Sequence, residues 1–417
     1  MRGRIGVVAV AIAVLCTAGS LAAQEGSPAG PIPPSVLEAR REALRERIGS
    51  GVAVIRSAWA RDVERDYPQD SDFRQDNNFF YLTGLETPDS YLVLVARGDG
   101  EDEVILYLPP RNPAEERWTG PKIGPGPEPV RLTGIEDVRS AERAEAEIGA
   151  LLASQGGNPV DVTQHLAAMR LVKDEEELRR LRRAIEITME AHRAAARAME
   201  PGMWEYEIEA IVEYTFRRMG AERVGFPSII GSGPNSTVLH YDKNRRQTRP
   251  GDLVVVDVGA EFGYYTADIT RTYPVSGTFT PRQRALYDLV LGAQQAAIDA
   301  VRPGVTIAEL TTIARAYMRD NSGDLCGVET CDRYFVHGLA HWLGMDVHDV
   351  GGYGARLAPG MVLTIEPGIY IPEEELGIRI EDDVLVTESG GVVLSEALPR
   401  TADEIERLMA ERAAVLP

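Results

Sequence analysis

The amino-acid sequence predicts an α/β protein of the α+β type, with a small N-terminal domain and a larger C-terminal domain made of two similar halves. Short apolar runs between helical segments over residues 36–168 indicate the small α/β domain. An internal repeat over residues 169–417 indicates an antiparallel sheet covered by helices. The 417 residues, 44% hydrophobic and 26% charged, are enough to bury a large core.

The N-terminus has the pattern of a secretory signal peptide. Basic residues at Arg2 and Arg4 precede the apolar run Ile5–Leu15, small residues follow up to Ala23, and the next charge is Glu25. The apolar run is shorter than the roughly 20 residues that span a bilayer. We therefore predict a signal peptide over residues 1–23, export to the periplasm or the medium, and a flexible linker, rich in Pro and Gly, over residues 24–35.

The N-terminal domain is predicted from its apolar runs, with helical segments at either end. These runs are "VAVI" at 52–55, "FFYLTGL" at 79–85, "YLVLVA" at 91–96 and "VILYLP" at 104–109. We interpret them as strands between helices.

The net charge excludes two classes of partner. At −20 the chain has no excess of cations to contact nucleic-acid phosphates or anionic lipids. We therefore expect neither nucleic acid nor, once the signal peptide is removed, a membrane as partner.

The internal repeat places two carboxylates at equivalent positions. The segment "AMEPGMWEYEIEAIVEYTF" at 198–216 is echoed by "AVRPGVTIAELTTIARAYM" at 300–318, and "RPGDLVVVDVGA" at 249–260 by "APGMVLTIEPGI" at 358–369. Asp257 lies seven residues after Pro250, and Glu366 lies seven after Pro359. Each half therefore presents an acid from within an apolar strand.

Acids in such strands are expected to be paired or metal-bound, because an isolated buried carboxylate costs several kcal/mol. Each half adds a second acid on a following strand, Asp268 in "YYTADITRTY" and Glu381 in "GIRIEDDVLV". Converging carboxylates predict a site for two divalent cations. Pairing with Arg271 or Arg379 would be the competing explanation, and spacing cannot choose between Glu381 and Asp383, which face the same way along a strand.

The segment "CGVETCDRYFVHGLAHWLGMDVHD" contains two cysteines and three histidines. Cys326, Cys331, His337 and His341 are spaced C-x4-C-x5-H-x3-H, but zinc fingers place about a dozen residues between the two pairs. In an exported protein we expect Cys326 and Cys331 to form a disulfide instead.

These contexts resemble a known family. Asp257, Asp268, His341, Glu366 and Glu381, in "VVVDVGA", "TADITRTYPV", "HGLAHWLGMDVHDVG", "LTIEPGIY" and "GIRIEDDVLV", are similar to the dinuclear-metal pita-bread peptidases, and in particular to aminopeptidase P and prolidase. The resemblance extends to "FRQDNNFFYLTGLETPDSYLVL" near the N-terminus. It implies a creatinase-like N-terminal domain and a pita-bread catalytic domain with a curved sheet.

The resemblance also implies the roles of individual residues. The metal ligands are then Asp257, Asp268, His341, Glu366 and Glu381, which selects Glu381 over Asp383. Glu366 also acts as the general base that converts a metal-bridging water to the attacking hydroxide, His240 and His348 lie around the scissile group, and His337 and Arg379 contact the substrate. Four carboxylates and one imidazole suit Mn²⁺ and accommodate Co²⁺ or Zn²⁺.

The implied activity is metal-dependent hydrolysis of the bond between an N-terminal residue and a following proline in peptides. "ERWTGPKIGP" and "HWLGMDVHDVG" look more like aminopeptidase P than prolidase, which cleaves dipeptides. A metal-free creatinase or a non-catalytic peptide-binding relative would share the fold, although all five ligand positions are filled in this sequence. We also expect a homo-oligomer, a dimer or a tetramer.

Overall fold

The computed structural model describes residues 28–60, 73–97 and 102–411. The predicted signal peptide, and residues 24–27 of the predicted linker, lie outside these ranges. Within the three ranges, no helix has both the length and the apolar character needed to cross a lipid bilayer.

The N-terminal unit is a sheet flanked by helices, as the sequence predicts. Its strands are ordered β1-β2-β3-β4, with β4 parallel to β3 and the other neighbours antiparallel. The strands are β1 Gly51–Arg56, β2 Tyr91–Ala96, β3 Glu103–Leu108 and β4 Asp137–Ser140. The helices are α1 Pro34–Ile48, α2 Asn77–Thr83, α3 Glu116–Thr119, α4 Pro127–Thr133, α5 Ala144–Ser154 and α6 Thr163–Leu171. The apolar runs at 52–55, 91–96 and 104–109 are confirmed as strands.

The prediction of a strand at 79–85 is wrong, because most of this run belongs to the helix α2. Asp76 caps the helix by accepting a hydrogen bond from the backbone N of Phe79, at 2.9 Å, and Gly84 ends it in the left-handed conformation. A short apolar run that is buried on all sides has no periodicity that distinguishes strand from helix. The capping residues on either side contained the missing information.

Two predicted boundaries can be placed on the structure. In the described part of the predicted linker, Ala29 and Ile32 are buried, and the carbonyls of Ala29 and Gly30 accept hydrogen bonds from Arg179 and Arg180 of the following domain. Ala29, Gly30 and Ile32 therefore pack against or bond to the folded protein. The boundary predicted between residues 168 and 169 falls within α6.

The C-terminal unit has two halves, each with a helix pair followed by antiparallel strands. The first half contains α7 Glu175–Ala198, α8 Glu205–Arg218, β5 Arg223–Val224, β6 Ile229–Ser232, β7 Leu253–Val258, β8 Ala260–Phe262, β9 Tyr265–Thr266 and β10 Ile269–Pro274. The second contains α9 Pro281–Asp299, α10 Ile307–Asn321, β11 Val362–Ile365, β12 Gly368–Ile371, β13 Leu376–Arg379, β14 Asp382–Thr387, β15 Gly390–Val393 and α11 Ala402–Ala410. Among the sheets are β10-β7-β6 and β11-β14-β15.

The turns confirm the internal repeat. Gly251 and Gly360, which precede β7 and β11, have φ angles of 90° and 88°. These angles lie in the left-handed region, where glycine has no steric penalty. The repeat also extends to the backbone hydrogen bonds. The carbonyl two positions before the second helix of each half accepts an equivalent bond: Met203 from Thr248, at 2.8 Å, and Val305 from Leu357, at 2.7 Å.

The helix α7 forms much of the core beneath the first half. Asp174 and Glu177 form a capping box at its start, and its buried face includes Leu181 and Ile185. His192 on the same helix is fully buried, with ring nitrogens 3.1 Å from the hydroxyl of Tyr273 and 3.0 Å from the carbonyl of Ile269. Both ring nitrogens are thus used in contacts within the core, which indicates a structural role for His192.

Gly377 on β13 is expected to be intolerant of a side chain. A Cβ there would lie 1.9 Å from the backbone oxygen of Ser236, whose hydroxyl accepts a hydrogen bond from the Gly377 N at 2.7 Å. Gly377→Ala should lower the free energy of unfolding by about 1–3 kcal/mol through overpacking. Gly149→Ala is the control, because a Cβ at Gly149 in α5 meets nothing within 4 Å. Calorimetry should show a lower Tm for the first variant and not for the second.

Candidate metal centre and active site

The chain brings all the site residues predicted from the sequence to one cavity of about 640 Å³. Its walls include Asp257, Asp268, His341, Glu366, Glu381, His240, His348, His337 and Arg379. Asp257 lies on β7, Asp268 immediately before β10, Glu366 directly after β11 and Glu381 directly before β14. Each half of the repeat therefore contributes two carboxylates from strand ends, and the segment before β11 contributes His341.

His341 points its Nε2 atom at three of the carboxylates. This atom lies 3.3 Å from Asp268 Oδ2, 3.7 Å from Glu366 Oε1 and 3.9 Å from Glu381 Oε1. On the other side of the ring, Nδ1 lies 3.2 Å from the carbonyl oxygen of Trp342. Because a carbonyl only accepts, Nδ1 carries the proton and Nε2 presents its lone pair to the cavity, as in metal-ligating histidines.

Buried carboxylates this close together repel one another when they are ionised. Burial first, and then the charges of Asp257, Asp383 and Glu366, raise the pKa of Asp268 well above its usual range. Burial, followed by the charges of Asp268 and Glu366, does the same for the pKa of Glu381. Burial also raises the pKa of Glu366 to about 7. These shifts mark a strained cluster of like charges.

Three carboxylate oxygens in this cluster have no hydrogen-bond partner within the described part of the chain. They are Asp257 Oδ1, Asp268 Oδ1 and Glu381 Oε1, all buried. One ligand atom each from Asp268, His341 and Glu381 lie within 4.8 Å of one another. A buried anionic oxygen without a partner is costly, and divalent cations bind such oxygens together with an imidazole nitrogen. The donor set therefore fits divalent metal ions.

The structure distinguishes Glu381 from Asp383. Glu381 Oε1 faces His341, while its Oε2 accepts a hydrogen bond from the hydroxyl of Thr270 at 2.7 Å. Asp383 is fully buried, and its Oδ2 accepts a hydrogen bond from the backbone N of Asp268 at 3.3 Å. Glu381 therefore lines the cavity, and Asp383 supports the backbone of a neighbouring cavity residue.

Arg379 forms an ion pair with one of the predicted ligands. Its Nη2 lies 2.5 Å from Asp257 Oδ2, and its Nη1 donates to the hydroxyl of Tyr370 at 2.8 Å. The same hydroxyl lies 2.8 Å from Nε2 of His337. Arg379 thus leaves one oxygen of Asp257 free for a cation, and Arg271, the second arginine considered as a partner, pairs with Asp382 at 2.7 Å.

Two further histidines face the cavity. His348 lies against His341, with ring centroids 4.2 Å apart, and His240 lines the same cavity. Burial and the neighbouring histidines lower the pKa of His348. A neutral imidazole carries one N–H donor, which suits it to contact a developing negative charge.

Comparison with known proteins identifies the family. A model described as "Metallopeptidase family M24" matches residues 179–388, and one described as "Aminopeptidase P, N-terminal domain" matches residues 37–159. The chain belongs to metallopeptidase family M24. A similar curated relative is the Xaa-Pro aminopeptidase of Escherichia coli, 36% identical over 425 residues, which cover 89% of this chain and 96% of the relative.

Solved structures agree with this assignment to M24. The chain superposes on E. coli aminopeptidase P with the inhibitor Pro-Leu at a TM-score of 0.85 and 33% identity, covering 91% of this chain and 99% of that one. A zinc-substituted form of that enzyme in complex with product gives a TM-score of 0.85 and 34% identity, covering 92% and 100%. The α/β fold with an N-terminal domain before the M24 domain is therefore confirmed.

Sequence reasoning missed Tyr370, which joins His337 to Arg379 from β12. The only signal was its position four residues after Glu366 in "EPGIY". The disulfide was anticipated: Cys326 and Cys331 are bonded, with Cα atoms 5.3 Å apart. Both sulfurs are thereby removed from the set of possible metal ligands.

The strained carboxylates predict a pH dependence for the metal-free M24 protein. The pKa of Glu366 is higher in the folded state, about 7, than the ordinary 4.5, so the folded state binds more protons and loses stability as pH rises between these values. From pH 5 to pH 8 this group alone should lower the free energy of unfolding by roughly 2–3 kcal/mol.

Thermal unfolding of chelated protein across this pH range measures the effect. The Tm should fall as pH rises, and saturating Mn²⁺ or Zn²⁺ should abolish most of the decrease. A chelated protein whose Tm rises between pH 5 and pH 8 would contradict the repulsion inferred for this cluster.

Proposed function

We propose that this chain is a metal-dependent aminopeptidase that hydrolyses the bond between an N-terminal residue and a following proline in peptides. The observation that carries the proposal is the convergence of four carboxylates and His341 on one cavity, with His240 and His348 beside them. The relatives named Xaa-Pro aminopeptidase, and the structures with product and with Pro-Leu, support a peptide substrate.

The residues that would hold two divalent cations are Asp257, Asp268, His341, Glu366 and Glu381. When bound, such cations would polarise the scissile carbonyl and lower the pKa of a water molecule. We propose Mn²⁺ as the physiological ion, because hard oxygen ligands dominate the set. The zinc-substituted relative makes Zn²⁺ the second ion to test.

Glu366 is the residue best placed to move a proton. Its side chain is 17% exposed, against 7% for Asp268, 10% for Asp257 and 2% for Glu381. It can therefore reach a water molecule in the cavity, accept the proton lost as that water attacks, and donate it to the departing proline nitrogen.

His240 and His348 are proposed to surround the scissile group. A neutral ring can donate an N–H to the carbonyl oxygen as negative charge develops there, an interaction stronger in the transition state than in the ground state. Apolar residues complete the cavity and offer a surface for the pyrrolidine ring of proline: Phe226, Ile229, Leu239, Ile307 and Leu339.

A peptide panel tests the proposed specificity. Purified protein is chelated, resupplied with Mn²⁺, and assayed against Xaa-Pro, Xaa-Pro-Xaa and Xaa-Ala-Xaa peptides. We expect metal-dependent cleavage of Xaa-Pro-Xaa. Cleavage confined to the Xaa-Pro dipeptide would indicate a prolidase, and absence of metal-dependent cleavage would refute the proposal.

Export and self-association are also proposed. The basic and apolar N-terminal segment supports export, and the Cys326–Cys331 disulfide is consistent with an oxidising compartment. The resemblance to aminopeptidase P supports a dimer or tetramer. Fractionation of an expressing bacterium and light scattering of the purified protein test the two proposals separately.

A further inference from the structure

Three charged side chains form a buried cluster directly behind His348. Asp349 Oδ1 lies 2.5 Å from Arg170 Nη2, and Asp349 Oδ2 lies 3.4 Å from Lys173 Nζ. The three side chains are 1%, 3% and 0% exposed. We call these residues the Asp349 cluster. None of them lines the cavity, so the proposed mechanism gives them no role.

The cluster fixes a turn that connects His341 to His348. The backbone N of Asp349 donates to the carbonyl of Trp342 at 2.9 Å, which closes the turn. Gly344 lies inside it, where a Cβ would be 2.0 Å from Asp349 Oδ2. The two ends of this turn thus carry a predicted metal ligand and its neighbouring histidine, whose rings are 4.2 Å apart.

The N-terminal domain holds the same turn from outside. Arg170 Nη1 donates to Asn78 Oδ1 at 2.9 Å, so α2 orients the guanidinium that binds Asp349. Arg74 donates to the carbonyl of Met345 at 2.7 Å. Asn77 Nδ2 donates to Asp346 Oδ2 at 2.7 Å. Polar contacts from the N-terminal domain therefore reach the residues on both sides of Val347-His348.

A buried cluster of charges contributes little to the net stability of a protein. Burying charges costs desolvation energy, and well-packed apolar residues of similar volume often stabilise as much or more. Charge pairs with fixed geometry do, however, define a single arrangement of the backbone that carries them. The cluster has this geometry, with a carboxylate held between an arginine and a lysine from the segment that joins the two domains.

We propose that Asp349, Arg170 and Lys173 are positioning residues that fix the imidazole of His348 over the metal centre, and that the N-terminal domain contributes to catalysis through Arg170. The inference rests on the function proposed above for His348. The contacts of the N-terminal domain with Arg170 and with the turn then control where His348 lies in the active site.

The position of His348 can be followed by NMR without any measurement of activity. Protein labelled with ¹³C at histidine Cε1 is loaded with zinc, which is diamagnetic, and His348→Ala assigns the His348 signal. Asp349→Asn and Arg170→Met should shift or broaden this signal and leave that of His165 on α6 unchanged. Arg40→Met is the matched control, because Arg40 is also buried and bonds Asp174 across the domains, and the carbonyl of Tyr81 within its own domain, without touching the turn.

Kinetics then separate positioning from general destabilisation. Asp349→Asn should lower kcat by about 10- to 100-fold with little change in KM, since a displacement near 1 Å at a catalytic group can cost this much. In a His348→Ala background the same substitution should cost less than about twofold, because the group it positions is absent. Arg170→Met should lower kcat in the same way, and Arg170→Lys, which keeps the positive charge, should retain part of the kcat that Arg170→Met loses.

The outcomes distinguish the two proposals. An unchanged His348 signal in folded Asp349→Asn, or full additivity with His348→Ala, would overturn the positioning role even if the enzyme cleaves its peptides. A wild-type protein without peptidase activity would refute the function while the NMR result stands. If Asp349→Asn does not fold, Asn78→Ala, which removes only the contact that orients Arg170, is measured in its place.

Discussion

Replacement of Glu366 by glutamine is expected to lower kcat for Xaa-Pro-Xaa cleavage by about 10³-fold or more, because general-base catalysis alone contributes up to about 10⁴. The amide has nearly the same shape as the carboxylate, but it cannot accept the proton of an attacking water. It also presents a neutral oxygen to a cation. Among the four carboxylates, Glu366 is the one most accessible from the cavity, so its loss should affect the chemical step most directly.

Metal analysis is needed to interpret this result. Single-turnover rates with Xaa-Pro-Xaa, together with metal content by mass spectrometry, separate loss of the base from loss of a ligand. Glu396→Gln is the control, since Glu396 is exposed and outside the cavity. A Glu366→Gln variant that keeps its metal and loses less than tenfold in kcat would show that another group moves the proton.

The repeat made most of the C-terminal fold predictable. Pro-Gly pairs require turns, and the glycines at 251 and 360 do adopt left-handed conformations before their strands. The acids within the apolar runs then indicated a site, because Asp257 and Glu366 have no reason to be in a buried strand without a partner. The repeat and the buried acids could both be recognised in the local sequence.

Features that depend on tertiary contacts could not be predicted from the local sequence. Strand alternation does not separate Glu381 from Asp383. The family resemblance selected Glu381, and the structural reason is tertiary, because the backbone of Asp268 approaches Asp383. Tyr370 acts through its distance to His337 and Arg379, which no spacing encodes. The link from Asn78 through Arg170 to Asp349 joins residues far apart in the chain, so sequence reasoning assigned no role to Arg170.

Replacement of Asp268 by asparagine is expected to abolish activity and, in the absence of metal, to stabilise the protein. Burial and the neighbouring acids raise the pKa of Asp268 well above its usual range, so the ionised carboxylate destabilises the folded metal-free protein, increasingly as pH rises. Asparagine resembles the protonated acid and needs no proton. The Tm of chelated protein at pH 8 should therefore rise by about 2–5 °C.

The stability gained on metal binding should be smaller in Asp268→Asn than in the wild type. Wild-type protein gains stability from any ion that binds only the folded state, by about 2.7 kcal/mol at a hundredfold excess over Kd. The variant should gain far less, and kcat/KM should fall by about 10³-fold or more, because an amide replaces an anionic ligand and one oxygen of the set is lost. Asp268→Asn should therefore raise the stability of the metal-free protein while it lowers the activity, as expected where a site is strained until its ligand binds.

Asp252→Asn is the matched control for this experiment. Asp252 pairs with Arg246 at 2.5 Å and accepts a hydrogen bond from the backbone N of Arg249 at 2.7 Å, so its charge is compensated. The control should lose stability with and without metal and keep its activity. If Asp268→Asn instead lowers the Tm of chelated protein at pH 8 as Asp252→Asn does, the carboxylates are held by cations of the protein itself and do not require metal ions.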